Sequence, residues 1–226
     1  MITCPQGCSP SSAAEWFAGV GTIVLALVAV FQQWFQRMLV RPKLRLTVRV
    51  MPPDAEKTRW KDGTEAYYFR LGITNVGNAE ARDVQVYLAS VEKRRKDSTY
   101  EVIDRYTPVN LLWAYLGSAT RPVLVPGMPP VFCDLAYISD PSKQSKDARN
   151  RAADLSSDQV ILVLQLEVKP FSGAHLLSPG IYRLGLKLVA SNHPPRHYTL
   201  ELDFPGKWFD DQDEMYSDGF GMRIVG

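Results

Sequence analysis

The chain has 226 residues, of which 46% are apolar and 22% charged. This composition excludes collagen-like and intrinsically disordered proteins, and three cysteines are too few for a disulfide scaffold. Lysine and arginine total 26 against 24 acidic residues, a balance that argues against a surface dedicated to nucleic acid. We therefore expect a folded chain with no nucleic-acid partner.

Residues 16–31 read WFAGVGTIVLALVAVF and carry no charged side chain. About 20 helical residues cross a hydrocarbon core about 30 Å thick. Because the flanking residues supply that length, we predict a transmembrane helix over residues 13–36. A buried core helix would carry polar residues at helical spacing, which this segment lacks. A cleaved signal peptide would begin with basic residues, whereas residues 1–15 contain neither lysine nor arginine.

Basic residues follow the apolar segment, in a linker predicted at residues 37–42 and just beyond it, and none precedes it. The positive-inside rule then places a tail of residues 1–12 outside the cell (inner) membrane and the rest of the chain in the cytoplasm. The side chains expected at the two membrane interfaces are Trp16, Trp34, Arg37, Arg41 and Lys43. The lipid bilayer is thus the first predicted partner. Whether Cys4 and Cys8 in the outer tail form a disulfide stays open.

Small side chains recur at every fourth position of the predicted helix, at Ala14, Ala18, Thr22 and Ala26. Such a face lets two helices approach closely, which would make the chain a homo-oligomer. Small residues are also common in membrane helices that do not associate, so the pattern leaves both interpretations open.

After the apolar segment the hydrophobic pattern changes to a period of two. Residues 43–50 alternate as KLRLTVRV, which predicts a half-buried strand. Similar segments lie at residues 66–74, 84–91, 160–168, 181–189, 198–204 and 222–225. Proline, glycine and asparagine turns separate most of them. Short strands without repeated intervening helices predict a mainly β, antiparallel sandwich over residues 43–226.

Two stretches resemble the immunoglobulin-like modules of bacterial proteins. Residues 73–86 (ITNVGNAEARDVQV) look like their strand, tight turn and strand, and residues 177–188 (LSPGIYRLGLKL) look like their Pro-Gly-x-Tyr entry into a late strand. The resemblance implies an immunoglobulin-like β-sandwich behind a single N-terminal membrane helix. It also implies that Tyr182 is a tyrosine-corner residue whose hydroxyl bonds back to the backbone. A fold superfamily of this kind does not define a function.

The sandwich requires insertions because a minimal one needs only about 100 residues. Residues 107–117 predict a short helix, with Thr107 as N-cap, Gly117 as its end and Trp113 pointing away from its apolar face. Residues 139–158 predict a polar loop with one helical turn near residues 147–155. The aromatic C-terminal segment predicts either a return onto the sandwich or a sticky acidic patch. The partner-binding candidates are Trp113, Tyr115, Trp208 and Phe209.

No segment carries a motif that names a reaction. The prolines of residues 193–197 (HPPRH) forbid the helix that would bring both histidines to one metal, so we interpret this segment as a hairpin turn. The acidic residues 210–218 do not match an EF-hand loop, although cation binding there stays open. We expect no enzyme activity, no cofactor and no metal.

Three functional hypotheses follow. The first is a single-pass membrane protein whose cytoplasmic sandwich binds another protein or senses a ligand at the membrane. The second is an oligomerising membrane effector, pore-forming or membrane-perturbing, that the soluble domain gates. The third and weakest is a metal-dependent hydrolase.

Overall fold

The computed structural model describes residues 11–104, 108–146, 155–156 and 159–226, without the side chains of residues 11–15, 33, 35–39 and 104. The chain divides into two compact units between Arg41 and Pro42. The predictions for Cys4, Cys8 and Thr107, and for most of the helical turn near residues 147–155, lie outside the described residues.

The described part of the first unit is mainly a helix, α1, which spans Ser11–Leu39. Every described side chain of α1 between residues 16 and 32 is exposed. In the part of the chain that the structure describes, no helix combines the length and the apolarity needed to cross a membrane.

The second unit is a two-sheet antiparallel β-sandwich. The first sheet contains β1 (Leu44–Thr47), β2 (Ala55–Arg59), β3 (Glu65–Asn75), β7 (Leu112–Trp113), β9 (Val131–Ser139), β10 (Leu162–Leu164) and β11 (Leu176–Leu177). The second sheet contains β4 (Ala81–Arg94), β5 (Tyr100–Asp104), β6 (Val109–Asn110), β8 (Arg121–Leu124), β12 (Gly180–Ala190), β13 (His193–Phe204) and β14 (Gly221–Ile224). The described part of this unit also contains three short helical turns: Pro141–Lys143, α2 (Gln212–Glu214) and a π-turn at Met215–Gly219.

The sheets run in the orders β1-β3-β9-β10-β11 and β14-β13-β12-β4-β5. The short strands β2 and β7 pair with β3 and β9, while β6 and β8 pair with β4. Alternating side chains form the core between the sheets, as in β12, where Leu184, Leu186 and Leu188 are buried. Burying one such side chain contributes about 1.5–3 kcal/mol. The predicted antiparallel sandwich is therefore present.

The tyrosine corner is also confirmed. Tyr182 is buried, and its hydroxyl donates a hydrogen bond to the backbone carbonyl of Ser178, just before β12. This bond closes the entry into the strand, as the resemblance implied.

The predicted helix over residues 107–117 is wrong. β6 and β7 occupy the described part of this segment, and a turn follows in which Tyr115 and Gly117 have φ values of 65° and 62°. These left-handed residues reverse the chain instead of continuing a helix. β7 pairs with β9, which turns Trp113 into the core at 1% exposure, so this side chain offers no surface to a partner.

Strand boundaries also differ from the predictions: the first strand, predicted over residues 43–50, covers only Leu44–Thr47. The segment 193–197 is not a turn but the start of β13, because the β12–β13 hairpin turns at Ser191 and Asn192. The segment 160–168 forms only the short strand β10.

The C-terminal segment returns onto the sandwich. Met215 and Phe220 are buried, and the Phe220 ring stacks on Phe69 of β3 with 3.8 Å between the ring centroids. This return places β14 beside β13 at the end of the second sheet.

Candidate binding groove at the open edge of the sandwich

A groove of about 650 Å³ lies between β1 and β14, which are end strands of the two sheets. We call it the edge groove. The residues that line it are Arg45, Leu46, Thr47, Val48, Arg49, Thr74, Pro130, Met222, Arg223 and Ile224. Two segments from opposite ends of the sandwich sequence therefore meet along one cleft.

The floor of the edge groove is apolar. Leu46 is buried in the core, and Val48 packs against the core from the surface. Met222 and Ile224 lie opposite the buried Leu202 and Leu200 in the β13–β14 register, so they face the same inner side. The inward residues of two edge strands thus remain partly uncovered where the sandwich opens.

The rim of the edge groove is cationic, with exposed side chains at Arg45, Arg49 and Arg223. Arg49 bonds to Asp54 at 3.0 Å, and the Asp54 side chain is only 1% exposed against 53% for Arg49. The rim therefore presents a guanidinium to solvent while the paired carboxylate stays inside.

Glu201 of β13 pairs with Arg223 in the same arrangement, with the carboxylate inside and the guanidinium outside. The Glu201 side chain is 12% exposed and that of Arg223 is 74% exposed. Hydrogen bonds from Arg223 and from the Tyr100 hydroxyl lower the pKa of Glu201, and the bond to Glu201 raises the pKa of Arg223. Both groups therefore stay charged at neutral pH, with the positive partner outermost.

A second cavity of about 380 Å³ adjoins the edge groove on the outer face of the second sheet. The two cavities share Met222 and Arg223, so β14 has open space on both sides. Tyr100 and Arg183 stack nearby, with 3.9 Å from the guanidinium to the ring centroid, and the Tyr100 hydroxyl donates to Glu201 at 2.8 Å. These contacts fix the position of the Glu201 carboxylate, which pairs with Arg223.

Both edge strands direct backbone groups toward the opening. The Val76 amide donates a hydrogen bond to the Lys43 carbonyl, so the backbone groups of Lys43 point toward β3. Because successive residues of an antiparallel strand bond alternately to one side and the other, the N–H and C=O groups of Leu44 and Leu46 point away from β3. In β14 the Val225 amide donates to the Thr199 carbonyl. The backbone groups of Met222 and Ile224 therefore point away from β13, toward the free edge.

The predicted partner-binding residues lie elsewhere and do not form one surface. Trp113 is a core residue whose Nε1 donates to the Val84 carbonyl at 3.2 Å. Tyr115 is 82% exposed, and its ring lies over the Arg70 guanidinium, 5.0 Å from it to the ring centroid. Trp208 and Phe209 are half-buried against the core, where Tyr67 contacts both.

Arg70 itself is nearly buried on the outer face of the first sheet, between Glu56 at 2.7 Å and Asp134 at 3.0 Å. Burial opposes its charged form, but these two carboxylates outweigh that effect and raise the pKa of Arg70. The same burial raises the pKa of Asp134. This arrangement is a satisfied ion-pair network and not an open site.

The residues predicted to contact the membrane lie mostly on α1. Trp16 and Trp34 are exposed, as are Ala18, Thr22 and Ala26, and the Thr22 hydroxyl donates to the Ala18 carbonyl at 2.8 Å. Arg41 and Lys43 are exposed in the segment that follows α1. The side chains of Ala14 and Arg37 lie outside the described residues.

The candidate metal and nucleophile segments form no centre in the described ranges. No three His, Cys, Asp or Glu side chains there lie close enough to hold a metal ion. In the acidic loop, Asp211 caps α2 and the Asp210 carbonyl accepts from Lys57 Nζ at 2.9 Å. Cys133 is buried, and burial raises the pKa of its thiol well above the usual range.

Sequence reasoning found the alternation in β1 but missed the edge groove. The signal was present in part, because KLRLTVRV and GMRI both place an arginine between apolar residues. Nothing in either segment indicates that they meet across one opening.

No protein-family model matches the chain, and neither a curated protein nor a solved structure shows significant similarity to it. The class that the fold defines is a two-sheet antiparallel β-sandwich carrying an open edge groove.

Proposed function

We propose that this chain is a membrane-attached binding protein. In this proposal α1 anchors the chain in the cell (inner) membrane, the sandwich lies in the cytoplasm, and a partner protein binds at the edge groove. The groove is the observation that carries the proposal, because it combines an apolar floor, a cationic rim and unpaired strand edges.

The anchor is supported by the sequence and exposure of α1. Residues 16–31 carry no charge, and the large apolar side chains along them are exposed, among them Phe17 at 80%, Ile23 at 64% and Leu25 at 71%. A continuous apolar surface of this kind requires a non-aqueous contact. The arginines and lysine that follow α1 favour a cytoplasmic sandwich under the positive-inside rule.

The immunoglobulin-like assignment of the sandwich is part of the same proposal. Two antiparallel sheets, the tyrosine corner at Tyr182 and the two resembling stretches support it. The binding role itself rests on the edge groove and not on the architecture, because a fold of this kind does not define a function.

Site-directed photocrosslinking in cells tests the proposal. A benzophenone amino acid replaces Arg45 on the rim of the edge groove in the full-length chain, and Arg196, exposed on β13, serves as the control position. We expect a discrete protein adduct in the membrane fraction from position 45 and none from position 196. Adding Arg223→Gln should weaken the adduct.

Two outcomes would contradict the proposal. One is recovery of the full-length chain in the soluble fraction. The other is an equal adduct pattern from both positions, because binding would then not be centred on the edge groove. An adduct that contains only a second copy of this chain, and that Ala18→Leu abolishes, would favour the oligomerising effector instead.

A further inference from the structure

We infer that the edge groove takes an extended acidic segment of a partner protein, which adds to β14 as a new strand with apolar and acidic residues in alternation. This inference rests on the proposed function and specifies the chemistry of the partner. Its steps concern the backbone of β14, the side chains on either side of it and the charge of the rim.

The backbone of β14 has outward-pointing hydrogen-bonding groups of the kind that strand addition requires. The N–H and C=O groups of Met222 and Ile224 point away from β13, and β14 ends the second sheet. Strand addition satisfies such groups with main-chain hydrogen bonds, each contributing about 0.5–1.5 kcal/mol. The cavities on both sides of β14 leave room for the side chains of an added strand.

The side chains set the pattern of the added strand. Residues opposite Met222 and Ile224 would face inward, into the cavity of about 650 Å³ above Leu46 and Val48, so they are apolar. The residue between them would face outward beside Arg223, into the second cavity, which Arg94 and Arg223 line together with Glu201 and Asp203. Glu201 already pairs with Arg223, so an acidic side chain of the added strand would make its opposite-charge cross-strand pair with the exposed side of that guanidinium. Arg45 on the facing strand β1 adds a second positive charge along the same opening.

The charge also decides against a second copy of this chain as the occupant. Edge-to-edge pairing of two β14 strands would bring Arg223 of one copy beside Arg223 of the other, and like charges on paired strands are destabilising. A charged side chain on an exposed edge disfavours such pairing. Arg223 and Arg45 favour an acidic strand over a basic one, so the same residues provide selectivity.

The experiment measures peptide binding to the full-length chain in mild detergent by fluorescence anisotropy. The probe is a labelled peptide VEVEVEV, and its charge-reversed counterpart is VKVKVKV. Two further peptides carry N-methyl groups, either on the valines or on the glutamates. If the added strand runs antiparallel to β14, as every other described strand pair of this sandwich does, only the valine amides face β14. N-methylated valines therefore block strand addition and N-methylated glutamates do not.

We expect VEVEVEV to bind, and both VKVKVKV and the N-methyl-valine peptide to bind about tenfold or more weakly. The N-methyl-glutamate peptide should bind like its parent. Arg223→Gln should weaken VEVEVEV binding about threefold to tenfold, whereas the matched variant Arg196→Gln should not change it.

Equal binding of the N-methyl-valine peptide would overturn strand addition, and equal effects of Arg223→Gln and Arg196→Gln would overturn the site. If no peptide binds while the crosslinked adduct at position 45 persists, the ligand class is wrong and the proposed function stands. If the adduct is also missing, the proposed function fails with it.

Discussion

Glu201 positions the exposed positive charge of Arg223 at the rim of the edge groove. It accepts hydrogen bonds from Arg223 and from the Tyr100 hydroxyl, and Arg183 lies 3.5 Å away. One little-exposed carboxylate thus organises two arginines and a tyrosine, and the guanidinium of Arg223 remains at the surface. Because exposed ion pairs contribute little stability, we assign this cluster a positioning role and not a stabilising one.

The Tyr182 hydroxyl contributes to stability through its hydrogen bond to the Ser178 carbonyl. Tyr182→Phe removes the hydroxyl and leaves the Ser178 carbonyl without this donor, so we expect a loss of about 1–2 kcal/mol in the free energy of unfolding. Denaturant unfolding of the full-length chain measures it. Tyr198→Phe on β13 is the control, and equal losses in both variants would contradict the tyrosine-corner account.

Glu65 gives the sandwich an acid-sensitive ion pair. Hydrogen bonds from Lys57 and Arg59 lower the pKa of Glu65 from 4.5 to about 2. A carboxyl group with a depressed folded-state pKa stabilises the fold above its unfolded pKa, and this contribution is lost as the pH falls toward about 2.

Unfolding midpoints between about pH 5 and pH 2 test this pair. We expect Glu65→Gln to flatten the fall of stability with decreasing pH, while Glu167→Gln leaves the slope as it is. A Glu65→Gln slope that matches the unsubstituted chain would show that the ion pair does not form in solution.

At the scale of elements, period-two alternation predicted the long strands correctly. In β12 each second residue is buried, so the pattern in the sequence is the pattern of the core. The predicted helix around Trp113 was wrong because neighbouring apolar residues fit both a helix face and a pair of short strands. The left-handed residues Tyr115 and Gly117 decided in favour of the turn.

The prolines of β13 explain the second error. β14 pairs with residues 200–203 of β13 and does not reach Pro194 or Pro195. Their missing N–H groups are tolerated because β14 does not reach this part of β13 and because the β12–β13 register shifts between Leu188 and Ala190, opposite the two prolines. Local turn signals cannot reveal where a neighbouring strand ends, and the position of the edge groove was unpredictable for the same reason.

The proposed role of α1 as an anchor predicts a difference between two substitutions. Leu25→Arg places a charge in the uncharged segment, at a cost of about 2.5–3.5 kcal/mol for insertion, so the chain should move to the soluble fraction. Ala18→Leu on the small-residue face should leave membrane retention and peptide binding unchanged. Fractionation and anisotropy measure both effects.

Either of two results would contradict this assignment. Membrane retention of Leu25→Arg would mean that α1 is not inserted. Loss of membrane retention or of peptide binding in Ala18→Leu would mean that the chain acts through association of its helices.

At the scale of the whole molecule, the formal charge of +2 is an average over unlike parts. An uncharged helical segment, an arginine rim and an acidic C-terminal loop cancel in the total. The total argues against a dedicated nucleic-acid surface, whereas the proposed orientation and the proposed charge of a partner rest on the distribution of the charges.

A reporter fusion tests the proposed orientation of the chain in the membrane. An alkaline phosphatase reporter fused after Gly226 is active only outside the cytoplasm, so we predict an inactive fusion that is nevertheless expressed. An active fusion would place the sandwich outside, and the proposed compartment and partner would then both be wrong.

Hydrogen exchange on the full-length chain tests the central claim most directly, because it reports where a ligand covers the backbone. In the free protein the amides of Leu46, Met222 and Ile224 should exchange rapidly, since they face the open edge. With VEVEVEV present, we predict slower exchange at Met222 and Ile224 and no change around Tyr115. At a peptide concentration that saturates the anisotropy signal, protection confined to the Tyr115 turn, or no protection at β14, would contradict the edge groove as the site where the peptide binds.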